Sequence, residues 1–132
     1  MKTHVSAVGL VGFVLGLVAF ISTAAAQGTQ PDAAVKKTFD KMLGAIQAND
    51  RDAFVADATD AVKKSITQKV MEGLNGHMGA RLKQGYDAIY LCQLKQQGLQ
   101  IHLWKIAFKD GSDDIVIRIA LKQGKVDGFF LQ

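Results

Sequence analysis

One cysteine in 132 residues leaves no partner for an internal disulfide, even though an exported chain could use one. The fold must therefore stand on its hydrophobic core. Cys92 lies in an apolar run, YLCQL, and reads as a buried, inert thiol in preference to one that pairs with another chain. No serine or cysteine nucleophile motif is present, so covalent catalysis has no support. Charge of one sign never gathers into a block: 16 lysines and arginines stand against 12 acids, without interleaved aromatics, which argues against nucleic acid as a partner. Histidine is scarce as well. Beyond His4 there are only His77 and His102, and Glu72 and His77 miss the one-turn spacing of paired helical ligands. Neither a metal nor another cofactor is expected.

What is present begins with an address. The segment MKTHVSAVGLVGFVLGLVAFISTAAAQ has a short basic start, an uncharged run from Ala7 to Ile21, and an Ala24-Ala25-Ala26 end of the small-x-small kind. This reads as a signal peptide over residues 1–26, giving an exported protein, periplasmic or secreted, with no membrane association after cleavage. The rival is an uncleaved anchor, since Ala7–Ala26 carries no charge and Gly12 and Gly16 form a GxxxG pair; the cleavage signature favours removal. No cysteine near the cut points to a lipid anchor. Losing Lys2 takes the formal charge from +4 to +3 and leaves a length suited to one domain.

Residues 27–31 read as a polar leader, and Pro31 suits the first position of a helix, where its missing N–H is harmless. Val35, Phe39, Met42, Leu43 and Ile46 recur at helical spacing to about Ala48. Asn49 and Asp50 end this helix and can cap a short second one carrying Phe54 and Val55. After a polar stretch around Thr59 and Asp60, Ser65 or Thr67 can cap a third helix with Val70, Met71, Leu74, Met78 and Leu82 on its apolar face. Its Gly73, Gly76 and Gly79 suggest a close backbone approach or a bend, and sit wrongly for a phosphate loop.

From Tyr86 the period changes to that of strands. Four runs follow, Asp87–Leu94, Leu99–Phe108, Asp114–Leu121 and Lys125–Leu131, joined by links too short for parallel crossovers. The stretch KDGSDD, Lys109–Asp114, fails the oxygen-ligand pattern of a calcium loop at its glycine and its last acidic position. It reads as the turn between the second and third strands. The expected fold is α+β, three N-terminal helices packed on a curved four-stranded antiparallel sheet, with residues 32–132 as a single domain.

This order, with a helix ending in AND, the strands FKDG and DDIVIRIAL and the closing GKVDGFFLQ, resembles the nuclear-transport-factor-2-like, or cystatin-like, superfamily, and within it the small exported bacterial domains of unassigned function. The resemblance implies a cone-like sheet wrapped around the helices, a cavity at its wide end, and dimerisation through the sheet. Some members are ketosteroid isomerases, scytalone dehydratases or limonene-epoxide hydrolases; their catalytic sets do not map onto this chain residue by residue.

If a pocket exists, Phe39, Leu43, Met78, Tyr90, His102 and Trp104 are its expected lining. His102 alternates with Gln100 and Trp104 on one strand face, as a pocket group or simply a surface histidine. Asp40, Asp87 and Asp127 lack any diagnostic pairing, and Asp40 and Asp127 read as solvated. The second strand is apolar on both faces, with Leu99, Ile101, Leu103 and Ala107 opposite Trp104, Ile106 and Phe108. The last strand sets Val126 and Phe130 against Phe129 and Leu131. One helical layer covers only one face, so the surplus calls for curvature, a ligand or another subunit. The expectation is a non-catalytic domain that binds a small apolar or amphipathic ligand, or pairs with a protein such as a second copy, through the sheet. The alternative is a small cofactor-free isomerase, dehydratase or hydrolase using an acid–base pair in the cone.

Overall fold

The computed structural model describes residues 30–132, so the signal segment and the start of the leader lie outside the described residues. Helices precede a four-stranded antiparallel sheet of order β1-β2-β3-β4. The helices are α1 (Ala33–Ala48), α2 (Arg51–Phe54), α3 (Asp60–Ser65), α4 (Gln68–Leu74) and α5 (Ala80–Lys83), the last two joined through a π-helical turn, Asn75–Gly79. The strands are β1 (Tyr86–Gln96), β2 (Leu99–Phe108), β3 (Ile115–Lys122) and β4 (Lys125–Leu131). No helix among the described residues is long and apolar enough to cross a membrane.

The first helix buries Phe39, Met42, Leu43, Ala45 and Ile46, the stripe its spacing dictates. Pro31 precedes rather than starts it: Asp32 is the N-cap, and its carbonyl accepts from Lys36 N–H at 2.9 Å. Asn49 ends the helix in the left-handed region at φ 52°, and the Asp50 side chain caps α2 by accepting from Ala53 N–H at 3.0 Å.

Two expectations about the later helices need correction. The polar stretch at Thr59 and Asp60 begins a helix of its own, α3, which ends at Ser65; Val62 is its one buried apolar side chain, too little to leave a periodic signal. Thr67 is the residue that caps the following helix, accepting from Val70 N–H at 3.2 Å. That helix does not run uniformly through its glycines. Gly73 and Gly76 face open space, whereas Gly79 is buried, and a Cβ there would stand 2.6 Å from Asn75 Nδ2. The space left by Gly79 admits the Asn75 amide, which donates to the carbonyls of Ile46 at 2.8 Å and Gln47 at 3.4 Å at the end of α1. The π turn is where α4–α5 docks on α1.

The inner face of the sheet carries Trp104, Ile106 and Phe108 of β2 with Ile117, Ile119 and Leu121 of β3, packed on the helices. Two bulges interrupt the ladder. One lies between Tyr90 and Cys92 in β1; the other sets Ala120 opposite Gly128 but Leu121 opposite Val126. The extra residue in β4 reverses the expected alternation: Val126 joins Phe129 and Leu131 on the inner side, and Phe130 alone points out. The outer edge of β4 is covered by the loop before α3. Val126 N–H donates to Asp57 O at 2.8 Å, and Thr59 N–H to Val126 O at 2.9 Å. Asp127, expected in solvent, accepts from the Thr59 hydroxyl at 2.9 Å and reinforces this seam.

Lys109–Asp114 is the β2–β3 turn. Asp110 accepts from Ser112 N–H at 2.9 Å, an Asx turn, with Gly111 at φ 78°. Arg81 of α5 pins the turn, donating to Ser112 Oγ at 2.7 Å and Asp113 O at 3.0 Å while its guanidinium lies 3.8 Å from the centre of the Phe108 ring. The Ser112 hydrogen bonds are the main cause that lowers the Asp110 pKa, with Arg81 adding to it.

Candidate functional site

Four of the six residues expected to line a pocket come together on the inner face. Trp104 is flanked by Phe39, stacked at 4.1 Å between ring centroids with an 8° interplanar angle, and by Tyr90, edge-on at 5.2 Å. His102 stands two residues along β2 on the same face, and its Nδ1 lies 2.8 Å from the Tyr90 hydroxyl. The β1 bulge beside Tyr90 sets this register: Tyr90 pairs with Trp104, whereas Cys92 pairs with Leu103 on the opposite face. Cys92 is thus half-buried on the outer face, not in the core. Leu43 and Met78 are fully buried within the core cluster.

His102 is not a surface histidine, being only 1% exposed. Its Nδ1 is engaged with Tyr90, and its Nε2 is buried without a hydrogen-bond partner. Either neutral tautomer satisfies Nδ1 and leaves Nε2 alone. Burial lowers the imidazole pKa below 6.5, opposed by the nearby charge of Asp32, and the same desolvation raises the Tyr90 phenol pKa above 10.0. The pair is therefore neutral at pH 7. It can offer a hydroxyl proton or an imidazole lone pair, but only to a partner that reaches them.

The room beside it is small. A cavity of about 80 Å³ is lined by Phe39, Ala88, Tyr90 and Trp104, with Gln30 and Pro31 of the leader and the Lys36–Asp40 ion pair at its rim. Ligand sites for small organic molecules run to roughly 300–1,000 Å³. Phe39 fills the space against Trp104. By sequence Asp40 was weighed alone and read as solvated; Lys36 and Asp40 at helical i,i+4 spacing around Phe39 are the signal that could have placed the pair beside the cavity. Asp87 lies apart, 3.5 Å from Lys109 Nζ. Among the described residues no three His, Cys, Asp or Glu side chains gather as a metal site would require.

The outer face has a different character. Two adjacent cross-strand rows run over it, Leu94–Ile101–Ala120–Gly128 and Cys92–Leu103–Arg118–Phe130. Phe130 is 51% exposed and Leu94 41% exposed, and Leu99 and Leu103 are half-buried beside them. The Phe130 ring folds back over Gly128, where a Cβ would meet it at 2.6 Å. Arg118, the one charge in these rows, leans over the Phe130 ring at 5.6 Å and donates to Gln96 Oε1 at 3.2 Å.

No protein-family model matches the chain, and no curated protein matches it significantly. Among solved structures, it is similar to an uncharacterised cystatin-fold protein from Novosphingobium aromaticivorans, at 20% identity and a TM-score of 0.40, over 73% of this chain and 95% of that one.

Proposed function

We propose that the protein is a non-catalytic, exported domain of the nuclear-transport-factor-2-like, or cystatin-like, kind that works by association, pairing with a second copy through the outer face of its sheet. The observation that carries this reading is the apolar patch on that face: Leu94 and Phe130 are exposed and Leu99 and Leu103 half-buried, around Ile101 and Ala120, which are themselves buried. A two-fold interface brings a patch against itself, so the patch must be self-complementary; a neutral apolar surface meets that condition and a patch of one charge sign does not. The single charge in the rows, Arg118, is already turned onto Phe130 and Gln96. Covering Leu94, Leu99, Leu103 and Phe130 removes apolar area from water at about 25 cal/mol per Å². Sheet pairing is favoured over a small apolar ligand in the cone because only about 80 Å³ lies open beside Tyr90 and Trp104.

Native mass spectrometry of the processed protein, purified from its own host, tests both parts. A chain starting at Gln27 with twice the monomer mass supports export and pairing. A ligand-bearing monomer would move the function to the cone, and a chain that still carries residues 1–26 would contradict cleavage and favour the uncleaved anchor.

One observation favours a second reading, a cofactor-free isomerase, dehydratase or hydrolase: the neutral Tyr90–His102 pair. Tyr90 would donate to a developing oxyanion and His102 would set its proton. This requires the Phe39 ring to give way to substrate. Turnover of enolisable ketones or epoxides that is lost in both Tyr90→Phe and His102→Gln would support it, and a panel without turnover would end it.

A further inference from the structure

Four lysines that look dispersed along the sequence converge in space. A groove of about 420 Å³ lies where α1, the α2–α3 loop, α3 and the β3–β4 turn meet, and Lys37, Lys41, Lys63 and Lys125 line it. The only carboxylate in its lining is Asp57, 3.2 Å from Lys41 Nζ. Four lysines against one aspartate give the groove a formal charge of +3, which equals the net charge of everything after the signal segment. Among the described residues, Lys37, Lys63 and Lys125 form no ion pair.

Like charges held around one concavity repel one another, and the field they sum to is focused by the walls of the groove. The walls are fixed in advance. The loop Asp57–Thr59 is tied to β4 by the Val126–Asp57 and Thr59–Val126 backbone bonds and by the Thr59–Asp127 side-chain bond. Three of the lysines hang from that frame or from the long helix α1, so an anion entering the groove meets them at little cost in backbone ordering. Thr38 is the one uncharged polar side chain in the lining.

We infer that this groove is a binding site for a small polyanion, a molecule bearing a phosphate, a diphosphate or two or more carboxylates. Its volume suits a small molecule. Its lining contains no aromatic side chain, so it offers no stacking platform for nucleic-acid bases. Its concavity favours a discrete ligand over a flat membrane surface. The site is separate from the outer face of the sheet, so neither reading depends on the other.

Inorganic pyrophosphate is the probe, titrated into the processed protein by calorimetry and by amide NMR shifts. The expected result is saturable binding with one ion per chain and shifts at Thr38, Asp57–Thr59 and Gly124. The double variant Lys63→Gln/Lys125→Gln is expected to weaken binding at least tenfold, with near-ultraviolet circular dichroism confirming that it folds. Lys83→Gln/Lys95→Gln, which removes the same charge elsewhere, is expected to stay within twofold of the parent. Equal loss in both double variants, or titration without saturation, would overturn the proposal. So would groove-dependent binding to phosphatidylglycerol vesicles without pyrophosphate binding, which would assign the lysines to a membrane surface.

Discussion

Phe39 of α1 and Trp104 of β2 stack face to face at 4.1 Å, and this contact joins the helical layer to the sheet beside Tyr90. Both rings are almost fully buried. They close the helix–sheet interface together.

Truncating either ring should therefore act on stability. Trp104→Ala or Phe39→Ala is expected to destabilise the fold by about 3–5 kcal/mol, the range for removing a buried aromatic. Urea unfolding followed by far-ultraviolet circular dichroism checks this. A loss below about 1 kcal/mol would mean that the rings are not packed as described.

His102 makes the fold sensitive to mild acid. Its pKa is lowered in the folded state, so the native protein binds fewer protons than the unfolded chain as pH drops below the ordinary imidazole value. The stability it contributes is fully present above about pH 6.5 and is lost as pH falls towards its folded-state pKa. Urea midpoints at pH 7.5 and pH 5 should show this decline in the parent and a flatter profile in His102→Gln. An identical slope in both proteins would show that His102 does not titrate differently on folding.

Gly79 and Asn75 form a coupled pair. A Cβ at residue 79 strikes the Asn75 amide, which bonds the Ile46 carbonyl. Gly79→Ala is expected to cost about 1–3 kcal/mol despite alanine's better helix propensity, and Asn75→Ala about 1 kcal/mol for the lost hydrogen bond. In the double variant the clash is gone, so the two losses should fall short of additivity in a mutant cycle. Strict additivity would contradict the contact.

Much of the architecture was legible because it is periodic. The α1 stripe of Phe39, Leu43 and Ile46 and the β3 alternation of Ile115, Ile117 and Ile119 name their own buried faces. Three features were not legible, each for a physical reason. Helix α3 shows one buried apolar residue, Val62, and so has no period to detect. Val126 was assigned to the wrong side because a bulge adds a residue that leaves no mark in the alternation. The basic groove draws Lys37, Lys41, Lys63 and Lys125 from distant parts of the chain, and only the folded topology brings them together. Within the candidate site, sequence placed Tyr90, His102 and Trp104 near one another but could not reveal that His102 is buried or that Phe39 fills the space beside them.

The central claim is that two copies meet across the outer face of the sheet. Sedimentation equilibrium of the processed protein against its Leu94→Lys variant tests it most directly, since Leu94 is 41% exposed and its replacement leaves the core intact. The account predicts a dimer for the parent and a folded monomer for the variant, as a charge placed in an apolar interface must be desolvated. A parent that remains monomeric at high concentration, or a dimer that Leu94→Lys leaves unchanged, would contradict it.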